Sequence, residues 1–146
     1  MGEIPIEDVV FRIRPKGDNM TGIIDFKTDQ ERAEYNDSQL DQKLKNIVTL
    51  LAYYSWEFFN KKVFITEVYR TQHENNLIYK DTKHVSLHTY HHAVDIRSSI
   101  YTDEEIEKLL TVANTILYRK GSKHKTAKYH HVGNGAFHFH IQTSAY

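Results

Sequence analysis

The sequence predicts an α+β domain on three observations. Two stretches carry apolar residues at the three- and four-residue spacing of amphipathic helices, one opening at Asp37-Ser38 and one at Thr102. Short runs of β-branched and aromatic residues with two-residue alternation stand apart from them. Their order is helix, strand, loop, strand, helix, hairpin, which lacks the regular βαβ alternation of a parallel α/β fold. The expected architecture is a small antiparallel sheet with helices packed on one face. At 146 residues the chain is long enough for a single domain with its own core. That core is expected over about residues 38–143, with 1–37 as an N-terminal strap.

Val9-Val10-Phe11-Arg12-Ile13-Arg14 alternates as a short edge strand ended by Pro15 and Gly17, and Ile23-Ile24-Asp25-Phe26 reads as a second strand. Neither carries chemistry. From Asp37-Ser38 the helix keeps Leu40, Leu44, Ile47, Val48, Leu51, Ala52, Ser55, Phe58 and Phe59 on one face. Tyr53, Tyr54 and Trp56 widen its apolar surface, and Asn60 with Lys61-Lys62 ends it, cations set against the C-terminal dipole. Val63 to Tyr69 alternates as a strand, with Arg70 at its end and polar residues 71–76 beyond. Residues 77–85 read as loop. In Ala93–Arg97, alternation puts Ala93, Asp95 and Arg97 on one face and Val94 and Ile96 on the other. Thr102 and Glu105 form a capping box, and the helix runs through Ile106, Leu109, Leu110, Ala113, Ile116 and Leu117 to Arg119-Lys120 and Gly121. Residues 122–128 form a basic connection. Tyr129–Val132 and Ala136–Thr143 then make two strands about a turn at Gly133-Asn134-Gly135.

Composition narrows the function. Nineteen Lys and Arg balance nineteen Asp and Glu, which leaves no broad basic footprint for nucleic acid and counts against a His-rich nuclease. With no cysteine, disulfides and thiolate metal sites are excluded, so a transition metal would rest on imidazole and carboxylate. The N-terminus lacks the basic and apolar regions of a secretory leader, and no apolar run reaches the length of a membrane span. Synthesis in the cytoplasm, with release by lysis or carriage in a virion, is the expectation for any extracellular work.

All ten histidines lie beyond residue 72. His88 and Asp95 are seven positions apart, and an aspartate in a buried strand must be paired or bound to a metal. His138 and His140 are i and i+2 on a strand, so they share a face with Gln142 and can reach one centre. Two histidines and one aspartate make a sensible zinc set, with a fourth position left for water as in catalytic sites. Arg70, at a strand end beside a loop, is either a surface residue or one aimed into a site.

Ser86-x-His88 followed by Ala93-Val94-Asp95-Ile96 resembles the SxHxxGxAxD signature of the hedgehog/D-Ala-D-Ala metallopeptidase family, and His138-Phe139-His140 resembles the HxH that closes its site. Val63 to Thr71 is similar to the arginine-bearing strand of its carboxypeptidases, so the likeness spans about residues 38–143. The resemblance implies a hedgehog/DD-peptidase-like fold and one zinc held by His88, Asp95 and His140. It implies His138 beside the metal as proton donor or transition-state stabiliser, and Arg70 facing either the oxyanion or a substrate carboxylate. Ser86 would give a hydrogen bond near the substrate or to a neighbouring loop. The activity implied is hydrolysis of peptidoglycan stem peptides or cross-links, as in carboxypeptidases, endopeptidases and bacteriophage endolysins, or else a zinc-binding module of the same fold without catalysis. Three departures stand out, one of them His92 where hedgehog proteins have arginine. His91 occupies the signature's glycine position, and Asn134 stands where the family's carboxylate base is found, which leaves His138 or His131 as base candidates.

Overall fold

Leu44, Ile47, Val48, Leu51, Ala52 and Ser55 form one buried stripe because their spacing returns each to the same side of a helix. In the computed structural model, which describes residues 22–79, 86–116, 124–130 and 137–144, they belong to the second of four α-helices among the described residues. The elements in chain order are β1 (Ile24–Phe26), α1 (Asp29–Asn36), α2 (Gln42–Phe59), β2 (Val63–Glu67) and α3 (Gln72–Tyr79). A 3-10 helix (Leu87–Tyr90), β3 (Ala93–Arg97), α4 (Asp103–Asn114), β4 (Ala127–His130) and β5 (His138–Gln142) follow. The α+β class is therefore as expected. The expected strand at 9–14, the helix end at 119–121, the turn at 133–135 and His131 lie outside the described residues.

Helix α2 begins later than Asp37-Ser38. Asp37 instead caps the C-terminal end of α1, and its Oδ1 accepts the Gln39 N–H at 2.8 Å, turning the chain before a second start. Asp41 is the true N-cap, accepting the Leu44 N–H at 3.0 Å. Asn60 stops the helix in the left-handed region, φ 54°, which asparagine tolerates. Helices α1 and α3 were not expected, because each buries little: Tyr35 on α1 and Asn75 on α3. Thr28 caps α1, while Glu74 Oε1 accepts from the Thr71 N–H and Oγ1 at the start of α3.

The five strands are ordered β1-β2-β3-β5-β4. β3 pairs antiparallel with β2 and β5, and β5 pairs antiparallel with β4. The expected all-antiparallel sheet is corrected at one edge, where β1 runs parallel to β2 with Ile24 opposite Val63. The cause is the connection: α1 and α2 lie between the two strands, and a helical crossover returns the chain in the same direction.

One sheet face presents Val63, Ile65, Val94, Ile96, Phe139 and Ile141, all buried, and α2 and α4 pack in the same core. Each such side chain contributes about 1.5–3 kcal/mol by leaving water. Helix α4 starts with the predicted capping box: the Glu105 N–H donates to Thr102 Oγ1 at 3.2 Å, and the Thr102 N–H to Glu105 Oε1 at 2.9 Å. Its neighbour Tyr101 reaches back to Ser55 Oγ at 2.6 Å, and burial pushes the Tyr101 hydroxyl up to about 12. With α2 and α4 on the apolar side, the opposite sheet face is left to polar residues.

Candidate metal centre

Register decides which polar side chains meet. Across β3 and β5, Asp95 stands opposite His140 and Arg97 opposite His138; across β5 and β4, Lys128 stands opposite His140 and His130 opposite His138. Directly opposed residues project to the same side of a sheet, so these six form two rows on the face away from the helices. Glu67 on β2 stands opposite Asp95, after a local irregularity between Ile65 and Glu67.

His88 enters this face from the 3-10 helix. Ser86 Oγ caps that turn by accepting the His88 N–H at 3.2 Å, and His91 ends it with φ 62°. Glycine is the residue that ordinarily takes this left-handed conformation. Here a histidine adopts it, and its ring stacks on Tyr69 with centroids 4.5 Å apart and planes 18° apart. Ser86 thus shapes the turn that carries His88.

Asp95 is the hub of the cluster. Its Oδ1 lies 3.1 Å from His88 Nε2 and 3.0 Å from His140 Nδ1, and its Oδ2 lies 3.4 Å from His138 Nε2. The outer nitrogens settle the tautomers. His88 Nδ1 is 3.0 Å from the Val68 carbonyl, which can only accept, so Nδ1 carries the proton. His140 Nε2 is 3.0 Å from Gln142 Oε1, while the Gln142 amide nitrogen donates to the Lys125 carbonyl at 2.8 Å and so fixes which end faces the histidine. In their neutral forms both imidazoles would therefore turn a lone pair towards one carboxylate oxygen, whereas in their protonated forms both donate to it. Three electron-pair donors so placed need a positive charge between them, either added protons or a metal ion.

The set fits a metal. One donor atom from each of His88, Asp95 and His140 lies within 4.8 Å of the others. Tetrahedral zinc with bonds of about 2.0–2.2 Å separates its ligand atoms by roughly 3.3 Å, close to the two short separations here. The outer-nitrogen bonds to Val68 and Gln142 are of the kind that orients ligating histidines where a metal is bound. The structure thus brings His88, Asp95, His138 and His140 together.

Electrostatics follow the same pattern. Burial alone would raise Asp95, but charge on His88 and hydrogen bonds from His140 and His88 hold it well below the usual carboxylate range. Burial also works against a charged His88, yet Asp95 and Glu67 outweigh it and raise its pKa. Burial lowers His140, with Asp95 opposing.

His130 was passed over by sequence reasoning. Its ring lies 5.0 Å from that of His138 and 5.2 Å from that of His140, centroid to centroid. Its Nε2 is buried with no hydrogen-bond partner among the described residues. Burial, then the His140 and His138 charges, push its pKa down to about 4.

Arg70 is buried beside the cluster. Its Nε and Nη2 donate to the two carboxylate oxygens of Glu67 at 2.9 and 2.6 Å, and its Nη1 donates to Asn75 Oδ1 at 2.9 Å. His92 lies apart from the metal set: its Nδ1 is 3.0 Å from Thr143 Oγ1, which donates to Asp41 Oδ2 at 2.9 Å, tying the end of β5 to the start of α2. No described helix is long and apolar enough to cross a membrane. No family model, curated protein or solved structure matches the chain.

Proposed function

We propose that the chain is a zinc-dependent peptidase hydrolysing peptide bonds of bacterial peptidoglycan, in stem peptides or their cross-links, and that it acts in lysis by a phage or prophage. The observation that carries this reading is the convergence of His88 Nε2, Asp95 Oδ1 and His140 Nδ1, with both outer imidazole nitrogens committed to acceptors. His88, Asp95 and His140 would hold the zinc, which would supply Lewis acidity for a carbonyl and for water.

The chain's own residues do the remaining work. Val68 and Gln142 hold the two ligating imidazoles in the tautomer that binds metal. His138, partly exposed beside Asp95 Oδ2, donates a proton from Nε2 to the reacting oxygen or to the leaving nitrogen. His138 or His131 is the base that takes the attacking water's proton, while His130, its pKa pushed down to about 4 by burial and its Nε2 buried without a partner among the described residues, stays neutral beside His138. Arg70 keeps a fixed positive charge near His88 while its donors hold Glu67 and Asn75.

The second reading is a zinc-binding module without catalysis, serving in binding or in a virion. It is favoured by the Glu67 carboxylate, which is clamped at both oxygens by Arg70 rather than presented as a base. The deciding experiment is release of D-alanine or stem-peptide fragments from purified peptidoglycan, with zinc and with chelator. Chelator-sensitive release supports the peptidase. Undiminished release in full chelation overturns it, and one zinc per chain with no release selects the binding module.

A further inference from the structure

His130 stands on the metal-bearing face, and the proposed chemistry leaves its Nε2 idle. That atom is buried without a hydrogen-bond partner among the described residues, an arrangement that costs free energy until something fills the gap. The β4–β5 register sets His130 directly opposite His138, a pairing that holds Cβ atoms about 4.5–5.5 Å apart. Their ring centroids are 5.0 Å apart. Two imidazoles sharing one tetrahedral zinc have ring centres about 3.2 Å from the ion, and so roughly 5.2 Å from each other.

The ring of His140 is almost as near, at 5.2 Å, but both of its nitrogens are engaged, Nδ1 with Asp95 Oδ1 and Nε2 with Gln142 Oε1. His138 is the better companion, and it brings a carboxylate oxygen with it. Its Nε2 lies 3.4 Å from Asp95 Oδ2, close to the separation of neighbouring ligands on zinc. Oδ2 is the oxygen that the first metal set leaves over, since His88 and His140 both face Oδ1. Arg97, also opposite His138, leans the other way, its Cζ 4.0 Å from the Phe64 ring centroid on β2, away from β4.

We propose a second zinc site formed by His130 Nε2, His138 Nε2 and Asp95 Oδ2, with Asp95 bridging two ions, and that filling it inhibits the enzyme by taking the His138 nitrogen out of proton transfer. The site rests on the geometry of these three residues; only the inhibition rests on the peptidase reading. Two dications sharing one carboxylate repel each other, so the second binds more weakly than the first. A bridge of this kind sets the ions about 3.5–4 Å apart.

The test uses the full chain, dialysed against buffered zinc of rising concentration, with zinc counted per chain. X-ray absorption at the zinc edge and release of fragments from purified peptidoglycan are read at each loading. The unaltered chain should fill in two steps, to one and then two ions. A zinc–zinc vector at about 3.5–4 Å should appear only in the second step, with release falling about 100-fold. His130→Gln and His130→Phe should each stop at one zinc, the retained first ion showing that the fold is intact. His73→Gln, at an exposed histidine of α3, should still take both. A single step in the unaltered chain, a second ion without the vector, or a second ion kept by both His130 variants overturns the site. If neither variant holds the first ion, the vector in the unaltered chain decides alone. Undiminished release with both ions bound overturns the inhibition. If nothing is released at any loading, the peptidase reading and the inhibition both fail, while the zinc count and the vector still decide the second site.

Discussion

Around Asp95, single atoms carry distinct tasks, so single substitutions should separate. His140→Ala removes a ligand and is expected to lose zinc, while His138→Ala keeps one zinc per chain and loses turnover; metal analysis beside the peptidoglycan assay checks both. Gln142→Leu leaves all three ligands in place but frees the His140 ring, and zinc affinity by chelator competition should fall about 10- to 100-fold. His130 titrates in the folded chain at about 4, against about 6.5 when unfolded. Between those values the unfolded chain binds the proton that the folded chain refuses, so stability contributed by neutral His130 is present above pH ~6.5 and lost as pH falls towards ~4. In urea titrations of metal-free protein, His130→Asn should lose less stability than the unaltered chain across that window. His88, Asp95 and His140 were legible because spacing within one strand and one turn is local. His130 was hidden by its neighbour His131, although a hairpin centred on residue 134 already places 130 opposite 138.

At the scale of elements, the turn before β3 shows how a non-glycine residue is accommodated in a left-handed position. His91 holds a left-handed conformation that costs a non-glycine residue about 1–2 kcal/mol, and its stacking on Tyr69 returns about 0.5–1.5 kcal/mol. His91→Gly relieves the first and removes the second, so stability by urea unfolding should change by less than about 1 kcal/mol with zinc binding retained. His91→Val keeps the conformation and loses the ring, and should destabilise by more than about 1 kcal/mol. Helices α2 and α4 were legible because their stripes are long and their caps, Asn60, Thr102 and Glu105, are chemically explicit. Helices α1 and α3 were not, since runs of eight mostly polar residues with little buried surface are too short for a periodicity to read. They are held by tertiary partners such as Arg70 on Asn75 and the Tyr69 N–H on Glu34.

Across the whole molecule, zinc bound at the proposed site would be linked to folding, because its ligands would come from two segments that the sheet brings together. Binding to the folded chain alone should add about 2.7 kcal/mol at a free zinc concentration of 100 Kd, which raises Tm by roughly 5–10 °C for a domain of this size. Calorimetry with and without metal checks it, and no shift would mean that zinc does not bind the folded site. The strand order was the least legible feature. Alternation tells which face a residue occupies but not which strand lies beside it, and the parallel β1–β2 edge depends on a crossover seen only in three dimensions. The placing of β5 between β3 and β4 matters for how the protein comes into being. A ribosome delivers β3 and β4 before the strand that must lie between them. Until Gln142 has emerged, both would expose unpaired backbone edges, the kind of surface on which chains aggregate. His140 arrives with that same strand, so neither the sheet nor the candidate metal set can close before β5 is made. Nascent chains stopped short of β5 should therefore bind no zinc at this site and should depend on chaperones to stay soluble.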